Sequence, residues 1–180
     1  DALRGVAAGS PTQSLHRVKN ADLAALPGAV IAYWISPTLL GAMTNNTLLS
    51  TVSEPRCGMN TGENARFVRN WWEVDYRRSC FDAPTTSVAH QSGAKWFPYN
   101  KGGSYRKWYG NQQSVVAFNR PNYELLLNQG NHLPSRQFYF QPSISWSKIS
   151  GSSPSFRFFP DGFVFDGAGM SLFAEPDQQR

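Results

Sequence analysis

Cysteine is scarce: Cys57 and Cys80 are the two in 180 residues, too few for the disulfide framework that staples small secreted domains. A reducing, cytoplasmic setting is therefore the expectation. Histidine is scarce as well. His16, His90 and His132 stand far apart, with no second ligand at metal-binding spacing beside any of them. No apolar run reaches the ~20 residues of a transmembrane helix, and no charged start followed by an apolar core marks a signal peptide. Charged residues make up 16% of the chain and hydrophobic ones 41%, which excludes a disordered polymer. No repeat of fixed period is visible. The length suits one domain with its own core, preceded by a short lead-in, and not a two-domain enzyme.

Catalytic signatures are missing too, each for a physical reason. Phe165-Asp-Gly-Ala-Gly169 fits the F-x-G-x-G string of adenosyl-cofactor sites, where the glycines lie between a strand and a helix so that backbone can approach the ligand. Here an apolar Met170–Phe173 run follows at once, so a β-turn is predicted. Phe97-Pro-Tyr99 has the aromatic of the Asn/Asp-Pro-Pro-Tyr loop of amino-methyltransferases. It lacks the side-chain acceptor and one proline. Ser145-Trp-Ser-Lys148 satisfies S-x-x-K, which works only where a helix brings both side chains to one face. The alternation of Ile144 and Trp146 predicts a strand there, which sends Ser145 and Lys148 to opposite faces. The twelve acidic residues show no paired-carboxylate spacing. The expectation is no catalytic residue, no metal and no cofactor within this chain.

What is present is positive charge and aromatic surface, and both are localised. Net charge is +5 and aromatics are 14% of residues. Residues 56–109 hold nine basic side chains against four acidic ones, and eleven of the twenty-five aromatics; the stretches on either side are neutral. Ser36-Pro37 predicts a helix start, with Leu39, Leu40 and Met43 on one face. Leu48–Ser53 reads as a strand, Arg56–Asn64 as a loop, and Phe67–Tyr76 as a helical turn passing into a strand with Trp72, Val74 and Tyr76 on one side. Phe81–Gly93 reads as turns. Strands are expected at Lys95–Tyr99, Tyr105–Tyr109, Ser114–Phe118, Phe138–Phe140, Ile144–Trp146, Phe156–Phe159 and Phe163–Phe165. The fold class is α+β, with short helices early and a mixed or antiparallel sheet late. Trp71, Trp72, Trp96 and Trp108 are expected inside. Residues 1–20 read as a connector, 21–175 as the domain and 176–180 as a polar tail. Opening on Asp1 and closing on a polar stretch, the chain reads as a piece of a longer protein.

Cations beside flexible loops and flat side chains are what a nucleic-acid surface needs, because phosphates are neutralised by Lys and Arg and base edges are read by polar forks. Phosphate candidates are Arg66, Arg69, Lys101, Arg106 and Lys107, with Lys95 a further DNA-binding candidate. Thr61, Asn64, Asn100 and Asn111 can both donate and accept, which suits base edges and equally suits turns. A protein-docking module and an aromatic carbohydrate-binding surface are the competing readings; the second needs no basic surplus.

Four strings then point to a family. Gly58-x-x-Thr-Gly-x-Asn64-x-Arg-Phe-x-Arg69, Lys95-Trp-Phe-Pro-Tyr-Asn-Lys-Gly-Gly-Ser-Tyr-Arg-Lys-Trp-Tyr-Gly-Asn111, Ile144-Ser-Trp-Ser147 and Gly162-Phe-Val-Phe-Asp166 resemble the region downstream of the catalytic core in the PglX family. These are the adenine-specific DNA methyltransferases of bacterial BREX phage-defence systems. The first string is also similar to loops in recognition domains of type I and type IIG restriction-modification enzymes. The resemblance runs from Ile31 to Phe173 and departs at Cys57, where a polar side chain is expected, and over Asp82–Gly93. It implies a parent that transfers methyl from S-adenosylmethionine to adenine N6 in double-stranded DNA, through a catalytic domain outside this chain. The piece in hand would be the target-recognition part, with the missing methyltransferase domain, other defence subunits and phage inhibitors as further partners, and no membrane contact.

Overall fold

The structure, a computed structural model, describes residues 19–24, 26–151 and 153–174. Most of the expected connector, His16 and the polar tail lie outside the described residues. The chain divides into two compact units, Asp1–Thr51 and Val52–Arg180.

The first unit carries α1 (Asn20–Ala24) and α2 (Pro37–Asn45). The Ser36 hydroxyl accepts from the Leu39 amide at 3.2 Å, satisfying one of the donors that a helix start leaves free, with proline in the first turn as expected. Leu39 and Met43 remain exposed, so this helix has an apolar stripe without being buried.

The second unit is built on two four-stranded sheets. Its strands are β1 (Ser53–Arg56), β2 (Val68–Asn70), β3 (Trp96–Asn100), β4 (Ser114–Ala117), β5 (Ser143–Ser147), β6 (Phe156–Phe159), β7 (Val164–Phe165) and β8 (Gly169–Ala174). One sheet runs β1-β8-β5-β6, the other β2-β4-β3-β7. All pairings are antiparallel except β3 with β7, where Tyr99 faces Val164 and Asn100 faces Phe165. Three short helices, α3 (Asn64–Phe67), α4 (Thr86–Gln91) and α5 (Arg120–Asn128), complete an α+β fold.

Several segments differ from the sequence reading. Residues 72–76 form no strand; 3-10 turns occupy Trp71–Glu73 and Tyr76–Arg78. The Glu73 carboxylate accepts from the Asn70 amide at 2.7 Å and Asp75 from the Arg77 amide at 2.9 Å, so local bonds to backbone displace a ladder. Thr85 caps α4 by accepting from Val88, which makes a helix inside the expected turns. Leu49–Thr51 and Arg136–Phe138 are also 3-10 turns, and Tyr105–Tyr109 is a loop.

The core of this unit is aromatic. Phe97, Phe118 and Phe140 are fully buried, and Phe118 meets both of the others edge to face. Truncating such a ring to Ala costs about 3–5 kcal/mol. Trp96 joins this core, but Trp71, Trp72 and Trp108 are 51%, 59% and 69% exposed. Three of the four tryptophans expected inside are therefore surface side chains.

Candidate nucleic-acid interface

The strand order brings a set of connections to one end of the unit. Because β3 is parallel to β7 and antiparallel to β4, and β2 is antiparallel to β4, that end collects Trp71-Trp72 after β2, residues 101–113 between β3 and β4, and residues 166–168 after β7. The turn between β5 and β6 arrives there as well: Lys148 donates its amide to the Ala168 carbonyl at 2.9 Å, and Ser147 Oγ donates to the Gly103 carbonyl at 2.7 Å.

Two of the distinctive strings meet at Asp166. Its Oδ2 accepts from the Tyr99 hydroxyl at 2.5 Å and the Lys101 ammonium at 2.7 Å; its Oδ1 accepts from the Ala168 amide at 2.6 Å. Lys101 also reaches Asn64 Oδ1 at 3.1 Å, and Thr61 donates to that same oxygen at 2.6 Å. The Gly58–Asn64 and Lys101–Lys107 loops are thus adjacent. Burial, and then the neighbouring Asp166, hold the Tyr99 phenol well above its ordinary range, so it remains a protonated donor. Both oxygens of the carboxylate are thus engaged within the chain. Backbone packs as tightly here: a side chain at Gly58 would place Cβ 2.1 Å from the Phe165 carbonyl oxygen.

The ten sequence-derived candidates separate into three groups. Arg106 and Lys107 are exposed, and Arg66 is exposed beside Glu63 at 3.8 Å. Lys101, Arg69, Lys95 and Asn111 are half-buried or engaged. Lys101 holds Asp166, Arg69 donates to the Ala65 and Val68 carbonyls at 2.6 Å, Lys95 lies 5.0 Å over the Trp96 ring, and Asn111 donates to the Ser104 carbonyl at 2.9 Å. Asn64, though exposed, is joined to Thr61 and Lys101 as described. Thr61 and Asn100 are buried at 2% and 0% and are not surface side chains. Asn100 donates to Ser145 Oγ at 2.7 Å, from the end of one sheet to the middle of the other, and accepts from the Gly102 amide at 3.2 Å.

Sequence reasoning missed the aromatic part of this end. Tyr105, Trp108 and Tyr109 are at least half exposed. Trp108 has φ +66°, a left-handed conformation costly for a bulky residue. Two backbone bonds impose it: Trp108 donates its amide to Phe156 at 3.0 Å and accepts from Phe158 at 2.9 Å. The signal was available in Gly102-Gly103 and Gly110-Asn111, which bracket a short segment that cannot run straight. Arg77, Arg78 and Lys95 lie at the other end of β3, since Lys95 donates to the Arg78 carbonyl just before the strand begins. Five residues of strand separate them from Lys101, about 17 Å.

The Phe165–Gly169 string does not build the strand-to-helix cradle of an S-adenosylmethionine site. Asp166–Gly169 is a turn closed by the Gly169 amide on the Asp166 carbonyl at 3.0 Å, and it leads into β8 instead of a helix. A Cβ at Gly169 would lie 2.7 Å from the Asn100 carbonyl oxygen, so the space beside that glycine is filled by this chain's own backbone. Ser145 is fully buried between Asn100 and Met170 while Lys148 is exposed, which separates the S-x-x-K pair. Among the described residues no three His, Cys, Asp or Glu side chains are grouped as a metal site requires, and no helix is long and apolar enough to cross a membrane.

No family model matches the chain. Two relatives do. The adenine-specific methyltransferase PglX of Lacticaseibacillus casei (strain Zhang) is 37% identical over 170 residues, 89% of this chain. The adenine-specific methyltransferase BrxX of Escherichia coli O9:H4 (strain HS) is 32% identical over 158 residues, 88% of this chain. The chain spans 14% and 12% of the length of these two relatives. With most of its residues aligned at that identity to both, the chain belongs to the PglX family of adenine-specific methyltransferases.

Proposed function

We propose that this chain binds double-stranded DNA, and that it serves as a target-recognition part of an S-adenosylmethionine-dependent adenine methyltransferase whose methyl-transfer machinery lies outside it. One observation carries the reading. The Ser104–Gly110 loop presents Arg106 and Lys107 together with Tyr105, Trp108 and Tyr109, all exposed, on a backbone held in a costly conformation by β6. Cations there neutralise phosphates while flat side chains pack on sugars and bases. Lys101 and Asn64 act behind the loop by fixing it to the Gly58–Glu63 segment. In a cytoplasmic defence setting, the remaining surface would contact the methyltransferase domain and other subunits.

The test is a fluorescence-anisotropy titration of the chain on duplex DNA at several salt concentrations. Affinity is expected to fall as salt rises. Arg106→Ala and Lys107→Ala should each lower the slope of log K against log[salt] by about one. Binding absent at all salt concentrations, or insensitive to salt, would favour the protein-docking reading instead.

A further inference from the structure

Arg157 is the most unusual charge in the molecule. It lies in β6 opposite Ser145, is fully buried, and among the described residues has no carboxylate within ion-pairing distance. Its Nη1 donates to Ser155 Oγ at 3.0 Å and its Nη2 to Ser147 Oγ at 3.1 Å. Among the described residues Nε has no partner. A buried cation normally acquires an anion, because desolvation otherwise penalises the charged form. Burial does push the Arg157 pKa down.

The two serines that hold the guanidinium also line a cavity of about 160 Å³. Its walls include Ser147, Ser150, Gly151 and Ser155 from the β5–β6 turn and Gly103 and Ser104 from the segment after β3, with Ile149 and Tyr105 as the apolar part. No acid lines it. Ser155 accepts from Arg157, and its own hydroxyl hydrogen has no acceptor among the described residues. Ser147 accepts from Arg157 while its hydrogen is used on Gly103. The site thus offers a cation behind hydroxyl groups that can donate and, among the described residues, no carboxylate, which suits an oxyanion.

We infer that this cavity binds a tetrahedral oxyanion through Ser104 and Ser155 with Arg157 as the charge behind them, and that its ligand is one phosphate of a DNA backbone. The choice of a DNA phosphate over a free one rests on the function proposed above, since Tyr105 of the aromatic loop borders the same cavity. Ser104 is exposed at the mouth, so a carboxylate there repels an anion without disturbing the core.

Two measurements on the 180-residue chain test this. First, ¹H–¹⁵N spectra are followed while inorganic phosphate is added at constant ionic strength, reading the Arg157 Nε–H and the Gly103, Ser104 and Ser155 amides. Saturable shifts are expected, and Ser104→Asp should abolish them while Ser104→Asn retains them. Second, duplex affinity is measured across salt. Ser104→Asp should weaken it about tenfold and reduce the salt slope by about one, as loss of one phosphate contact requires. If phosphate produces these shifts but duplex DNA does not bind, or binds with an unchanged slope in Ser104→Asp, the site holds a free oxyanion and its assignment to DNA is overturned. Absence of saturable shifts in the unsubstituted chain overturns the site, whatever DNA does. Ser155→Ala, which keeps the cavity and removes one donor, should weaken the phosphate response; an unchanged response also counts against the proposal.

Discussion

At the scale of single residues, position in a distinctive string is no guide to surface contact. Asn100 stands in the middle of the longest shared string, yet its side chain never reaches solvent. Its amide joins Ser145 and the Gly169 carbonyl while its oxygen receives the Gly102 amide, so it ties the two sheets together and starts the loop that follows. Removing a buried amide leaves its partners unsatisfied, at about 1–3 kcal/mol for each group that finds no substitute. Asn100→Ala is therefore expected to lower unfolding free energy by about 3 kcal/mol in urea melts, with DNA affinity per folded molecule unchanged. A base-reading asparagine would give the opposite pattern, normal stability and altered sequence preference. Arg106, in the exposed loop that follows, should instead keep normal stability on replacement by Ala and lose affinity for every sequence alike.

At the scale of elements, the Ser104–Gly110 loop concentrates both the strain and the exposed rings. Trp108 occupies a region that glycine enters freely, so Trp108→Gly removes the steric cost and also an exposed aromatic. The expected result is stability equal to or about 1 kcal/mol above that of the unsubstituted chain, together with about tenfold weaker duplex binding, from ~1.4 kcal/mol of lost contact. Calorimetry and anisotropy on the same samples check both; a stability loss without an affinity loss would make the tryptophan a packing residue. The β5 strand was legible from its alternation, although Ser143 and Ser145 are its buried positions and Ile144 and Trp146 its half-buried ones, and the Ser36-Pro37 helix start was legible because its cap is local. What escaped is tertiary. In Phe156-Arg157-Phe158 hydropathy argues for rings inside and the guanidinium outside. The structure reverses this, with Phe156 and Phe158 over 40% exposed and Arg157 at 0%. A one-residue register choice turns every side chain of a strand over, and nothing within those three residues specifies which way. The exposed rings of Trp71 and Trp72 were misread for a related reason: their conformation is set by capping at Asn70 and Asp75, not by periodicity.

At the scale of the whole molecule, the +5 net charge is a weaker statement than where the charges lie. The basic surplus falls between residues 56 and 109 in sequence, but in space β3 divides it. Arg77, Arg78 and Lys95 are at the start of that strand, and Arg106 and Lys107 are in the loop beyond its end. The intervening ~17 Å of strand exceeds the Debye length of about 10 Å at 0.1 M salt, so cations at one end contribute little to a phosphate held at the other. This separates local recognition from attraction to net charge. The pairs Arg77→Glu/Arg78→Glu and Arg106→Glu/Lys107→Glu alter net charge by the same amount, and all four side chains are exposed. If the loop end is the DNA surface, the second pair should abolish measurable duplex binding at 0.1 M salt, while the first reduces it by no more than about threefold and mainly through the association rate. Equal losses from both pairs would mean that DNA responds to the charge of the whole molecule, and the localised interface would be wrong. The comparison needs only anisotropy and stopped-flow mixing on the 180-residue chain, with thermal melts to show that both variants are folded.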